Sequence, residues 1–256
     1  MSFVYHGTSA ENMDNILNEG ILPRKKTDNS NWSQSEFNSL PKHVYLTDIY
    51  GIFFGMCAAE ETENISIIEI DMDRLDESLL YPDEDFIEQS IRQNTIEPVW
   101  EDNNSISIVE RTRLVRKNIS DYKHLWEDSL NGIGNISYKS RIPTEAIRRV
   151  STINREDAPN EFFLQIDPTI TIQNALFAGN KYRFLTEVIF GKEVTVKDVI
   201  IGLNFPHINP LDIPDDQLDE INSIVHEDSP IYNQQKPIAR KIIEGDFWDV
   251  QQNSDY

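Results

Sequence analysis

Hydrophobic and polar positions alternate or cluster differently along the chain, and the changes predict its elements. Phe3-Val4-Tyr5-His6-Gly7-Thr8 is a short β-branched and aromatic run, which predicts a strand. Thr8 followed by Glu11 has the spacing of a capping box, with Thr8 as N-cap. Ile16 and Leu17 then supply part of an apolar face, and Gly20 closes a first helix. After a polar stretch over 27–41, His43-Val44-Tyr45-Leu46-Thr47 predicts a second strand. Asp48 stands where it would cap a helix through Ile52, Phe53, Met56 and Ala59, and Ile65–Asp71 is the clearest strand of all.

Residues 72–133 read as a mostly helical insertion, with the acidic segment Tyr81-Pro82-Asp83-Glu84-Asp85-Phe86 near its start. Ile136–Ile142 predicts a strand stopped by Pro143, followed by a short element ending at Val150. Three further strands are expected at 161–166, 184–190 and 199–201. Beyond Phe205 prolines and acids predominate, predicting one helix near 215–226 and a mobile end. The expected fold class is α+β. A principal domain covers 1–205 and an acidic, partly mobile extension covers 206–256.

Composition narrows the function classes. A hydrophobic fraction of 39% over 256 residues supports a sizeable core. The one cysteine, Cys57, excludes an intramolecular disulfide and any multi-cysteine zinc site. With no signal-peptide pattern and no apolar run of membrane-spanning length, the expected setting is cytoplasmic, without a membrane partner. Net charge is −21, from 23 Lys and Arg against 44 Asp and Glu. Such a field opposes binding of nucleic acid over most of the surface. The acids are spread along the chain, as in a surface adapted to high salt, where the Debye length falls to about 3 Å at 1 M. The carboxylates of 83–85 lack a calcium-loop spacing, and no metal is expected there.

Candidate chemistry starts at the first strand. A strand that delivers a histidine and a glycine to a helix N-terminus suits a nucleotide, since glycine admits close backbone approach and the helix end favours phosphate. The cations Arg24, Lys25 and Lys26 follow soon after and could meet a pyrophosphate.

Tyr5-His6-Gly7-Thr8, the helix end at Ile16-Leu17 and Gly20-Ile21, and His43-Val44-Tyr45-Leu46-Thr47 come in an order that resembles the ADP-ribosyltransferase superfamily. The nearer likenesses are its diphtheria-toxin and poly(ADP-ribose) polymerase branch and the RNA 2′-phosphotransferases. The resemblance covers about 1–71 and, more loosely, 134–150. It implies two small packed β-sheets forming an NAD cleft, interrupted by the helical insertion, with NAD as co-substrate. It also implies that His6 bonds the ribose, that the Gly7 backbone meets the nicotinamide amide, and that Tyr45 stacks on the nicotinamide ring. Thr8 and Arg24 would complete the NAD contacts. An aromatic face attracts the cationic ring, and a carboxylate would stabilise the oxocarbenium-like sugar left as nicotinamide departs.

The acid departs from the family pattern. Alignment on the Pro143 turn puts Asn135, which carries no charge, in the glutamate slot. Glu187, in the strand expected at 184–190, is the preferred acid, and Glu145 in the turn is the other option. The catalytic set implied is therefore His6, Tyr45 and Glu187, for ADP-ribosyl transfer to an acceptor the sequence does not name. Two alternatives stand beside it. An RNA 2′-phosphotransferase-like enzyme would need arginines such as Arg24 and Arg141 for a phosphate. A catalytically silent nucleotide-binding module would keep His6 and Tyr45 without the acid.

Overall fold

The computed structural model describes residues 2–23, 40–60, 63–101, 106–165 and 178–253. Its centre is a seven-stranded sheet in the order β4-β5-β2-β1-β3-β6-β7, with every neighbouring pair antiparallel. The strands are β1 (Phe3–Ser9), β2 (Val44–Thr47), β3 (Ile65–Asp71), β4 (Leu80–Pro82), β5 (Asn135–Tyr138), β6 (Ile147–Ile153) and β7 (Trp248–Gln252). The architecture is thus α+β. One sheet stands where two were expected, but its two halves meet weakly. β1 pairs with β3 along its whole length, from Phe3↔Asp71 to Ser9↔Ile65. β1 meets β2 through the single pair Tyr5↔Thr47.

Ten helices flank the sheet among the described residues: α1 (Met13–Glu19), α2 (Gly51–Ala58), α3 (Glu84–Arg92), α4 (Ile108–Lys117), α5 (Trp126–Ile133), α6 (Asn160–Gln165), α7 (Gly179–Ile189), α8 (Val196–Asn204), α9 (Asp215–Ile224) and α10 (Pro230–Glu244). Side-chain alternation along the strands separates two cores. Val4, Leu46, Ile68, Ile70, Ile136 and Val150 pack on one face with Ile16 of α1. Ile65, Ile67 and Ile153 pack on the other, against α2, α7, α8 and α10. A third cluster, built from Leu40, Tyr81, Ile87, Ile91, Val115 and Tyr122, fastens α3 and α4 to the β4 end of the sheet. None of the described helices is long and apolar enough to cross a membrane.

Several elements differ from expectation, each for a physical reason. Residues 160–165, 179–189 and 196–204 are helices, where strands were expected at 161–166, 184–190 and 199–201. In α7 the buried positions Tyr182, Leu185, Val188 and Ile189 recur at helical spacing, and this burial overrides the strand propensity of the β-branched and aromatic residues. α8 is announced by a capping box, in which Thr195 and Asp198 bond each other's backbone N–H groups. The region 72–133 is helical in large part, yet it also lends the sheet its edge strand β4. The short element expected to end at Val150 is the seven-residue strand β6. α9 matches the helix expected near 215–226, but the chain then continues through α10 into β7. That strand pairs with β6 from Ile153↔Trp248 to Arg149↔Gln252, in place of a mobile end.

Candidate functional site at the β1–β2 seam

The first strand passes into α1 slightly later than Thr8 and Glu11 predict. Ser9, not Thr8, caps the turn, its hydroxyl accepting from the Glu11 N–H at 3.3 Å. Thr8 is buried, and its Oγ1 accepts from the Asn12 side chain at 3.0 Å. At the far end Gly20 takes φ 79° and donates its N–H to the Ile16 carbonyl. A Cβ there would lie 2.1 Å from the Ile142 carbonyl oxygen, so glycine is required twice over.

His6 spans the seam. Its Nδ1 lies 3.0 Å from the Tyr45 carbonyl oxygen. A carbonyl only accepts, so Nδ1 carries the hydrogen. Burial lowers the imidazole pKa, against the opposing pull of that hydrogen bond, so the ring is neutral near pH 7. Nε2 is then a lone-pair acceptor, the form suited to receiving a sugar hydroxyl.

Gly7 has a packing reason of its own. A Cβ at this position would come within 2.0 Å of the Gly51 carbonyl oxygen and 2.3 Å of the Gly55 nitrogen. Its side-chain direction is therefore filled by the backbone of α2.

Tyr45 is half-buried, and its hydroxyl is held at both ends. It donates to Glu84 Oε2 at 2.5 Å and accepts from the Leu40 N–H at 2.8 Å. Burial, then the charges of Glu84 and Asp83, raise the phenol well above its ordinary pKa. Glu84 is itself buried, with Arg116 Nη2 3.4 Å from its other oxygen. Burial raises its pKa, while the bonds from Tyr45 and the Arg116 charge oppose the rise. Neighbouring Asp83 caps α3 by accepting from the Asp85 N–H at 2.8 Å. The acidic segment noted for its charge density therefore acts in the seam: it anchors α3 and fixes the Tyr45 ring. Sequence reasoning missed Glu84 and Arg116 as neighbours of Tyr45. The signal lay in Asp83, a helix-capping residue directly after the strand-ending Pro82, which sends Glu84 into the first turn.

The candidate acids lie elsewhere. Glu187 stands on α7 rather than a strand, and its carboxylate pairs with Lys192 at 2.7 Å. Its charge reaches Tyr5, on the α2 and α7 side of the sheet, whereas His6 alternates with Tyr5 and shares the face of Val4, on the α1 side. Glu145 is exposed in a 3₁₀ turn over Thr144–Ala146. Asn135 opens β5 opposite Thr47, and its Oδ1 is buried with no hydrogen-bond partner among the described residues. Next to Thr47, Asp48 pairs with Arg183 at 2.9 Å. The structure thus brings the backbones of His6, Gly7, Thr8 and Tyr45 to one seam, with the His6 ring on the Val4 face of the sheet and the Tyr45 ring, set between Val44 and Leu46, on the opposite face beside Tyr81, and it leaves Glu187 and Glu145 away from the seam. Arg24 lies outside the described residues. No protein-family model matches this chain, and no curated protein matches it. The site's chemistry therefore stands on its geometry.

Proposed function

We propose that this chain binds NAD at the β1–β2 seam and transfers its ADP-ribosyl group to an acceptor. The observation that carries the reading is the His6–Tyr45 contact across two half-sheets that share one residue pair. The seam supplies a neutral imidazole with Nε2 as its acceptor nitrogen on one strand. On the other it supplies an aromatic ring held by Glu84 and Leu40. A sugar hydroxyl suits the first and a cationic nicotinamide ring the second. In this reading His6 orients the ribose, Tyr45 holds the ring, and a carboxylate balances the charge that grows on the sugar as nicotinamide leaves. Glu187 fills that last role only if the bound sugar reaches the α7 side of the sheet. The test is calorimetric titration of NAD into the wild type, Tyr45→Ala and His6→Ala, paired with nicotinamide release by the wild type and Glu187→Gln. Binding lost in both seam variants, with release lost in Glu187→Gln, supports the reading.

A second reading is favoured by one observation: Glu187 is paired with Lys192 on the other side of the sheet, and uncharged Asn135 stands at the start of β5. This is a nucleotide-binding module without turnover. NAD binding that depends on Tyr45 but yields no nicotinamide selects it. An RNA 2′-phosphotransferase-like activity is set below both, because the net charge of −21 opposes a grip on RNA.

A further inference from the structure

At the β4 edge of the sheet, separated from β1 by β5 and β2, lies an open cleft of about 600 Å³ lined by Glu77, Ser78, Ser120, Lys123, His124 and Trp126. Its chemistry runs against that of the whole chain. Among the described residues neither Lys123 nor the nearby Lys139 is ion-paired with a carboxylate, although the chain carries an excess of 21 negative charges. Both ammonium groups stand over the Tyr81 ring, at 5.5 and 5.0 Å from its centroid. Lys123 also donates to the Ser78 carbonyl at the cleft wall, a bond it can exchange for a ligand oxygen. Trp126 offers an indole face anchored in the core on the α1 side of the sheet, and Ser78 and Ser120 add hydroxyls. Glu77 is the one acid in the lining; Asp76 beside it accepts from the Ser78 N–H at 2.9 Å and from the Ser78 hydroxyl, and its charge also acts on Lys123.

We propose that this cleft is a binding site for a small nucleotide, its base stacked on Trp126 and its phosphate held by Lys123. The Lys123 ammonium, which forms no ion pair within 4.0 Å among the described residues, supplies the phosphate charge partner, the indole supplies the stacking surface, and the Ser120 hydroxyl suits a ribose. The inference is independent of the NAD reading, because it uses none of the seam residues.

The experiment titrates AMP, adenosine and inorganic phosphate separately into the full chain, following tryptophan emission and heat. The expected result is saturable quenching by AMP that disappears in Trp126→Phe, with adenosine and phosphate each binding about tenfold or more weakly than AMP. Lys123→Gln weakens AMP binding by about tenfold or more, and Lys123→Arg restores most of it. Tyr45→Ala leaves AMP binding unchanged, which separates this cleft from the seam. Far-UV circular dichroism identifies any variant that has lost its fold. The proposal is overturned if AMP gives no saturable signal up to about 1 mM. It is overturned equally if Lys123→Gln binds like the wild type, if binding vanishes in Tyr45→Ala, or if a single-stranded RNA binds in preference to AMP.

Discussion

At the scale of single residues, the seam depends on groups that satisfy one another in little space. Tyr45 and Glu84 form the tightest such pair, joined at 2.5 Å with Glu84 buried. Tyr45→Phe keeps the ring but strips a buried carboxylate of its donor. The expected loss is about 1–3 kcal/mol of stability by urea denaturation. NAD binding should fall less than in Tyr45→Ala, because the ring face remains. Gly7→Ala is expected to be more disruptive, since its methyl group would meet the α2 backbone, which has no soft side chain to yield. The measurement is the yield and melting temperature of the folded variant. The strands that carry the histidine and tyrosine were legible from the pattern of residues, while their roles came from the resemblance. The partners that hold them were not legible. Leu40 reaches Tyr45 from five residues away and Glu84 from thirty-nine, and nothing in a linear pattern records the second meeting.

At the scale of elements, the best-specified strands are those in the centre of the sheet. β1, β2 and β3 announce themselves through β-branched and aromatic runs, and β3, buried at every position, fixes the register of its partner β1. The second half of the chain was read less well because α7 and α8 are built from residues that favour strands. Phe184, Val188 and Ile189 are enriched in sheets, yet all are buried in a helix face. The Thr195 capping box was the sequence cue that could have corrected α8. An ion pair within the sheet also reaches the end of α7. Arg149 on β6 grips Glu69 on β3 through two bonds of 2.9 and 2.7 Å, and donates to the Phe190 carbonyl just beyond α7. Glu69 is 1% exposed. Arg149→Met would leave that carboxylate without its bidentate partner, at an expected cost of about 3–5 kcal/mol. A denaturant titration of the full chain measures it. The half-exposed neighbour Arg148, 3.7 Å from the same carboxylate, is not a substitute in geometry.

At the scale of the whole molecule, charge and titration set the working range. His43 is buried against Ser137 and beneath Tyr81, and burial, aided by the Lys139 charge, lowers its pKa to about 4. An unfolded histidine takes up a proton near 6.5. Between those values the unfolded chain binds a proton the folded chain refuses, so stability falls as pH drops through the window. His6, lowered in the same direction, adds to the loss. The buried carboxyls of Asp83 and Glu84 are raised and act with the opposite sign, losing stability as pH rises through their folded values. His43→Gln is therefore expected to flatten the acid side of the stability profile by about 3 kcal/mol at most. Chemical denaturation at several pH values reads that difference directly. The net charge of −21 was visible from the start, but its local exceptions were not. Lys139, which follows β5, and Lys123, in the 3₁₀ segment Ile119–Leu125, come together only over the Tyr81 ring of β4.

The claim on which the functional account rests is that the His6–Tyr45 seam binds NAD. The most direct measurement is isothermal titration of NAD into the full chain at low and high salt, with Tyr45→Ala as the paired variant. The account predicts saturable one-site binding in the wild type, weakened by about tenfold or more in Tyr45→Ala while the fold is retained. Equal affinity for NAD in the two proteins, or no binding by the wild type under either condition, would contradict it.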